Sequence, residues 1–236
     1  SITISEKRKD RADELSARYG IKVEDIATNV SNADALLLVV KPQDMAAVLD
    51  EIKGSINKSA VVITFAAGKK ISFIEQGLGT GNPVVRVMPN TPTLVGAGMA
   101  AISLGAGVSA KQSEFVSGFL AATGKVIQVS EDLQDAVTAT SGSGPAYFFR
   151  FVEAMVDGAK ALGLSDADAT TLTIQTIVGA AKLLDESGKS ATTLRENVTS
   201  PNGTTAAALA SFESHQLSDV VAHAMKAARD RSQELA

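Results

Sequence analysis

The chain has 236 residues, a formal net charge of −4 at pH 7 and no cysteine; 45% of its residues are apolar and only 4% are aromatic. This composition supports a core of Ala, Val, Leu and Ile, and it excludes disulfides, thiolate nucleophiles and cysteine-bound metal. No basic tract mixed with aromatic residues and no apolar run of membrane-spanning length is present, so we expect neither nucleic acid nor membrane as a partner. The lack of cysteine fits a reducing compartment, and we expect a cytoplasmic protein.

The first half of the chain alternates apolar runs with amphipathic segments. We predict strands at residues 2–5, 35–40, 60–65, 84–88, 100–104 and 126–129. Between the strands we predict helices, including one over 7–19 that ends at Gly20 and one with Met45, Val48, Leu49 and Ile52 on its apolar face. Alternation of fully apolar strands with helices is typical of a parallel sheet covered on both sides. Residues 1–129 are therefore predicted to form a doubly wound α/β dinucleotide-binding domain.

The second half contains no further apolar strand pattern. Helical periodicity is found over 133–140, 146–162, 167–186 and 217–235. One apolar stripe consists of Phe148, Val152, Met155, Ala159 and Leu162. Residues 130–236 are therefore predicted to form an all-α domain. A helical half this apolar favours burial against a second chain, so we expect a homo-oligomer; a self-contained bundle is the alternative.

A dinucleotide on an open parallel sheet needs a glycine turn for its pyrophosphate, a side chain that reads the adenosine ribose, and a crevice at the carboxyl ends of the strands. No G-x-G-x-x-G turn precedes a helix in the right place here. Ser5, Lys7 and Arg8 follow the first strand and suit a 2′-phosphate, which favours NADP(H). Glu6 suits the 2′-hydroxyl of NAD(H), and an ordinary charged helix start is the alternative reading of this segment.

Three strand ends carry small or rigid residues that favour a cofactor crevice. They are Val39-Val40-Lys41-Pro42, Phe65-Ala66-Ala67 with Gly68, and Met88-Pro89-Asn90-Thr91-Pro92. Small side chains let a cofactor approach the backbone, and prolines fix the loop. Each segment alone is an ordinary strand-to-helix turn, but three at one sheet edge predict a ligand crevice, and Asn90 is counted among its cofactor-binding candidates.

Two polar turns interrupt the helical half. The turn Thr199-Ser200-Pro201-Asn202-Gly203-Thr204-Thr205 precedes a helix, and hydroxyls with free amides at a helix N-terminus predict a carboxylate site; simple N-capping is the alternative. The turn Ser141-Gly142-Ser143-Gly144-Pro145 either offers amides to an anion or forms a tight helix connection. His215 and His223 have no partner at metal-ligand spacing, so we expect no metal.

Taken in order, these motifs carry a family resemblance. The segments Val40-Lys41-Pro42-Gln43, Ala66-Ala67-Gly68, Arg86 to Pro92, Asp135 to Tyr147 and Ser200 to Thr205 closely resemble pyrroline-5-carboxylate reductases over nearly the whole chain. The resemblance implies an oxidoreductase that reduces 1-pyrroline-5-carboxylate, a small molecule, to L-proline with NAD(P)H in the final step of proline synthesis. It also implies interlocked homodimers, which can assemble into a homodecamer.

The resemblance further implies roles for individual residues. Ser5 would contact the adenosine ribose or its phosphate, Val39–Pro42 and Phe65–Ala67 would line the cofactor, and Asn197 would touch its nicotinamide half. Ser200, Thr204 and Thr205 would hold the substrate carboxylate, and Thr205 would hydrogen-bond the imine nitrogen.

The chain departs from the family pattern in two ways. Asn202 stands where glycine is common, a mild change because asparagine tolerates positive φ. The family's first strand and glycine-rich loop have no counterpart, and the chain opens in a strand without Met, so we expect an N-terminal loss and little reductase activity of these 236 residues. The alternatives are a non-catalytic dimerising remnant, or a β-hydroxyacid dehydrogenase-like reductase with Lys160 or Lys182 as its acid.

Overall fold

The computed structural model describes residues 1–235, which divide into two compact units. The first comprises residues 1–142 together with the end of the chain from residue 228, and the second comprises residues 143–227. The segment 130–142, assigned to the helical half by its sequence, packs with the first unit. The domain boundary after residue 129 stays a prediction.

The strands described in residues 1–235 all lie in the first unit. They are β1 Thr3–Ile4, β2 Lys22–Val23, β3 Ala35–Leu38, β4 Val61–Thr64, β5 Val84–Met88, β6 Gly98–Leu104 and β7 Gly124–Gln128. β1 and β2 form a separate parallel pair, and the other strands form one sheet in the order β3-β4-β5-β6-β7. β3, β4 and β5 are parallel, whereas β6 is antiparallel to β5 and parallel to β7. The predicted α/β fold is confirmed; the reversal at β6 is not predictable from apolar content, which does not encode strand direction.

Helices cover both faces of the five-stranded sheet. Those of the first unit are α1 Lys9–Tyr19, α2 Ile26–Asn32, α3 Met45–Ile52, α4 Ile71–Leu78, α5 Ala110–Ala121 and α6 Gln134–Val137. α2, α3 and α4 share one cluster of buried side chains with Val62 and Val84, whereas α5 shares the other with Ile63 and Val85. Because successive strand residues point to opposite faces, a fully apolar strand supplies both clusters.

α6 continues into one π-helical turn, Thr138–Gly142, where the sequence predicts an ordinary helix to Thr140. The hydroxyls of Thr138, Thr140 and Ser141 donate to carbonyls four residues earlier, at 2.8, 2.8 and 3.2 Å. Such side-chain bonds compete with the regular helical ladder and bend it, which accounts for the widened turn.

The second unit is helical, as predicted. Its helices are α7 Gly144–Ala161, α8 Asp166–Glu186, α9 Ala191–Asn197, α10 Thr204–Ser214 and α11 Leu217–Glu234, whose last turns belong to the first unit. Ser165 caps α8 by accepting a hydrogen bond from the Asp168 amide at 3.1 Å. Between residues 143 and 227 the only buried residues are Gly144, Ala169 and Thr173. This unit therefore has almost no core of its own.

Candidate active site

The carboxyl ends of β3, β4 and β5 lie at one edge of the sheet because these strands are parallel. Val39 directly follows β3 and is 75% exposed. Val40 is half-buried, and Lys41 and Pro42 then lead into α3 through a short 3-10 turn, Pro42–Asp44. An exposed valine beside a rigid turn offers an apolar surface that a flat ring can cover.

Small residues connect β4 to α4. Phe65 is half-buried, Ala66 is buried, and the Ala66 amide donates to Thr64 Oγ1 at 3.3 Å. Gly68 has a φ of 74°, a left-handed conformation that glycine adopts without strain. With only methyl groups at positions 66 and 67, a ligand can approach the main chain closely, so this loop fits a dinucleotide cofactor.

Asn90 uses both ends of its side-chain amide inside the first unit. Its Oδ1 accepts from the Met99 amide at 2.8 Å, and its Nδ2 donates to the Ser141 carbonyl at 3.1 Å. The loop after β5 is thereby tied to β6 and to the π-helical turn. These contacts give Asn90 a role in shaping the crevice, while its direct contact with a cofactor stays a prediction.

The proposed ribose-reading residues lie between β1 and α1. The Ser5 hydroxyl donates to one main-chain carbonyl and accepts from one side-chain amide, both at 3.0 Å. Arg8 is the N-cap residue of α1, and its guanidinium pairs with exposed Asp10 at 3.0 Å. Glu6 accepts from the Arg8 amide at 2.9 Å. The one acid of this turn that suits a ribose hydroxyl is thus engaged locally, while Lys7 and Arg8 are exposed.

In the second unit, the turn between α9 and α10 holds the other predicted residues. α9 ends at Asn197 and α10 begins at Thr204. Asn202 has a φ of 57°, so the conformation for which its tolerance was predicted is the one it adopts. Gly203 occupies the N-cap position of α10 without a side-chain cap, which leaves the first amides of the helix without an intrahelical partner.

Of the hydroxyls in this turn, one is hydrogen-bonded within the chain and three are not. Thr199 Oγ1 donates to the Arg195 carbonyl at 2.6 Å. Ser200, Thr204 and Thr205 hydroxyls make no hydrogen bond to any residue of the described chain. Three free hydroxyls and the free amides of α10 therefore occupy one turn, and this set of donors suits a carboxylate.

Sequence reasoning missed a buried ion pair behind the strand ends. Arg86, on β5, has a side chain only 6% exposed, and its Nη1 lies 3.3 Å from Oε1 of Glu131. The same Oε1 accepts from the Ile71 amide at 2.7 Å, at the start of α4. The signal was available, since an arginine within the apolar strand Val84–Met88 requires an anionic partner.

Comparison with known proteins adds family information to this geometry. Residues 131–235 match a family model described as pyrroline-5-carboxylate reductase dimerisation, and residues 1–68 match one described as NADP oxidoreductase coenzyme F420-dependent. A pyrroline-5-carboxylate reductase of Corynebacterium melassecola is 42% identical over all of this chain and 88% of that relative.

Solved structures show the same relationship. A pyrroline-5-carboxylate reductase from Coxiella burnetii superimposes with a TM-score of 0.93 at 37% identity, covering 100% of this chain and 88% of that one. A Plasmodium falciparum pyrroline carboxylate reductase solved with NADP bound gives a TM-score of 0.87 at 29% identity, covering 99% and 86%. Among residues 1–235, no helix combines the length and apolar character needed to cross a membrane.

Proposed function

The chain belongs to the pyrroline-5-carboxylate reductase family, and we propose that it reduces 1-pyrroline-5-carboxylate to L-proline with a nicotinamide cofactor, the last step of proline synthesis. The observation that carries this proposal is the turn before α10. It offers Ser200, Thr204 and Thr205 hydroxyls that are free of other partners, beside the uncapped amides of a helix. The substrate is a small cyclic imine with one carboxylate, and this donor set matches that carboxylate.

In this proposal, two residues of the turn bind the substrate carboxylate and a third orients the imine. Ser200 and Thr204 donate to the carboxylate, and the positive end of α10 adds to the attraction. The Thr205 hydroxyl hydrogen-bonds the imine nitrogen, as donor to the neutral imine or as acceptor from the protonated one, and so helps to orient the C=N bond. An aliphatic hydroxyl is a poor acid, so the proton on nitrogen comes from solvent or from an already protonated imine. A nicotinamide cofactor, when bound, would supply the hydride for the imine carbon.

We assign cofactor binding to the first unit and to one residue of the second. The first-unit residues lie after three parallel strands. After β3 come Val39, Val40, Lys41 and Pro42; after β4 come Phe65, Ala66 and Ala67; after β5 comes Asn90. Asn197, the last residue of α9, would meet the nicotinamide half. Small loops at parallel strand ends and the exposed Val39 support this assignment.

We propose that NADPH is preferred over NADH. Lys7 and Arg8 are exposed cations beside Ser5, although Arg8 also pairs with exposed Asp10, and the nearby Glu6 accepts a hydrogen bond from a main-chain amide. A 2′-phosphate gains more from two cations than a 2′-hydroxyl does. The relative from Plasmodium falciparum was solved with NADP bound, which agrees with this choice. The ratio of kcat/KM values for the two cofactors measures the preference.

We also propose that the second unit forms a homodimer, with a decamer as the larger assembly. Three residues of its apolar stripe are exposed in the single chain, with Phe148 at 63%, Met155 at 38% and Leu162 at 90%, whereas Val152 and Ala159 are half-buried. The match to a dimerisation family over residues 131–235 supports self-association. For the cell we propose a cytoplasmic location, which fractionation of lysate tests.

A turnover assay tests the reaction itself. We expect oxidation of NADPH, followed at 340 nm, with 1-pyrroline-5-carboxylate and formation of stoichiometric L-proline. A rival reading, a β-hydroxyacid dehydrogenase-like enzyme, predicts turnover of 3-hydroxy acids instead. NADPH binding without turnover of either substrate class would favour the non-catalytic remnant.

Lys160, one of the two lysines that the rival could use, is poorly suited to act as an acid. Lys160 donates to Asp166 at 2.7 Å, and this hydrogen bond and charge hold the pKa of its ammonium above the ordinary value of 10.5. Lys182 lies 3.8 Å from Glu186 on the exposed side of α8. A proton donor at neutral pH needs a lowered pKa, so the shift of Lys160 is in the wrong direction.

Thr205→Ala tests the mechanism within the family. Loss of one hydrogen bond to the reacting nitrogen should lower kcat about tenfold while the Kd for NADPH stays near that of the wild type. Thr205→Ser keeps the hydroxyl and serves as the matched control. An unchanged kcat in Thr205→Ala would exclude a role for this hydroxyl in the reaction.

A further inference from the structure

A row of polar residues crosses the sheet near its carboxyl edge. Arg86 on β5 pairs in register with Thr64 on β4 and with Ser103 on β6, and all three are buried. Two residues earlier, Val62 and Val84 pack under α4, so the polar row lies on the same face of the sheet. The cation in this row can be buried only because a carboxylate reaches it.

Glu131 supplies that carboxylate and has a second partner. Its Oε1 accepts from the Ile71 amide at 2.7 Å, and Ile71 is the first residue of α4. Lys70, at the N-cap position, gives this helix no side-chain cap. Glu131 therefore caps α4 from 60 residues away in the sequence. It fixes the point at which the loop 65–70 enters the helix.

Glu131 also connects two parts of the chain. It is the first residue of the segment that matches the dimerisation family. One carboxylate thus joins that segment both to a central strand and to the loop after β4. The next residues of the segment are also anchored, since Gln134 Nε2 donates to Ser103 Oγ at 2.8 Å.

We propose that Glu131 is a positioning residue for the cofactor. By capping α4 it holds the loop 65–70 in the shape that the nicotinamide dinucleotide needs, and Arg86 keeps the carboxylate in place. This inference rests on the proposed function in one respect, that the loop lines the cofactor.

Two substitutions at one position separate the cap from the ion pair. Glu131→Gln keeps a side-chain oxygen for the Ile71 amide but removes the charge opposite Arg86, whereas Glu131→Ala removes both. We expect both variants to lower Tm, because each leaves Arg86 without its anion. Only Glu131→Ala should raise the Kd for NADPH, by about tenfold, measured from NADPH fluorescence without substrate. Asp132→Ala, at the exposed neighbouring residue, is the matched control and should change neither quantity.

Hydrogen exchange gives a readout that needs no cofactor. Peptides covering residues 66–72 should exchange faster in Glu131→Ala than in the wild type or Glu131→Gln. If Glu131→Ala does not fold, Glu131→Asp replaces it, since its shorter carboxylate keeps the charge but loses the reach to Ile71. Equal rises of Kd in the Gln and Ala variants, or an unchanged Kd in Ala, would overturn the inference. A wild-type protein that binds NADPH but does not reduce the imine would count against the proposed function alone.

Discussion

Gly203 shows how one missing side chain shapes the candidate carboxylate site. Its φ of −81° suits any residue, so its backbone conformation does not require glycine. A β-carbon at this position would instead overlap the Ser200 hydroxyl, which folds back over the turn. The glycine therefore leaves room for Ser200 Oγ beside the first amides of α10. Asn202, one residue earlier, is the position with the unusual φ.

Gly203→Ala should displace the Ser200 hydroxyl with little effect on the fold. We expect the KM for 1-pyrroline-5-carboxylate to rise about fivefold with only a small fall in Tm, because the Ser200 side chain can rotate away and the Ser200 carbonyl, 3.2 Å from the added β-carbon, needs to shift only slightly. Ser200→Ala should raise the KM for 1-pyrroline-5-carboxylate by a similar factor to Gly203→Ala. In the double variant the two effects should not add, since both act through the same hydroxyl. Additive effects would show that Gly203 acts by another route.

The sequence allows the chemistry of this turn to be predicted but not its geometry. Four hydroxyls around Pro201 and Gly203 indicate an anion site, and Asn202 tolerates its left-handed conformation as expected. The Thr199 hydroxyl donates to the Arg195 carbonyl, so only the other three hydroxyls are free. No pattern in the sequence distinguishes the bonded hydroxyl from the free ones. Side-chain partners depend on tertiary placement, which is also why Glu131 was missed.

At the scale of elements, the length and the burial of each segment decide how well it is predicted. α3 has four apolar residues at helical spacing and all four are buried, so its sequence pattern is strong. β2 has only Lys22 and Val23, both exposed, and offers no periodicity to read. The π-helical turn depends on hydroxyls that donate hydrogen bonds to the main chain. The periodicity of apolar residues does not show whether a hydroxyl will bond in this way.

The segment 131–142 is held to the first unit along its length. Asp135 accepts from Ser232 near the end of α11 at 2.7 Å, and the Ser141 carbonyl accepts from Asn90 at 3.1 Å. Ser232 is itself buried. The segment that leads into α7 is therefore fixed by contacts from the loop after β5 and from the last turns of the chain. Its π-helical turn, which contains Ser141, is held by the same contacts.

α2 illustrates an element whose stability depends on pH. Asp25 caps it by accepting from the Thr28 amide at 2.9 Å. Hydrogen bonding from Thr28, first from its side chain and then from this amide, holds the pKa of Asp25 below its ordinary value of 3.8. Because the folded state binds the proton less readily than the unfolded state, this contribution is present above that value and is lost as the pH falls through the folded pKa.

Asp25→Asn keeps a capping oxygen that does not titrate. We expect the difference in free energy of unfolding between wild type and Asp25→Asn, measured in urea, to shrink as the pH falls from about 7 to about 3. A difference that is the same at both ends of this range would contradict a titrating cap.

The whole molecule divides its apolar residues unevenly. The first unit has buried clusters on both faces of its sheet, with helices over each. The second unit buries only Gly144, Ala169 and Thr173 between residues 143 and 227, although its helices are rich in Leu, Ile, Val and Phe. Helices gain most of their stability from packing an apolar face. A unit of this kind is therefore expected to complete its core with a second copy.

Val178→Asp places a charge in the middle of α8 and tests this expectation. Val178 is 54% exposed in the single chain, together with Leu172 and Ile174 on the same helix. A buried, unpaired carboxylate costs several kcal/mol, so the variant should dissociate to monomer, or unfold, at protein concentrations where the wild type is a dimer or larger. Light scattering after size exclusion measures the mass, and Lys189→Asp, in the loop after α8, introduces the same group as a control. Because almost no core remains in a lone second unit, we expect the dissociated variant to lose the part of the melting transition that comes from the second unit, while the first unit, which has its own buried clusters, still melts cooperatively. A Val178→Asp protein with wild-type mass and Tm would show that this face of α8 is solvated in the assembly.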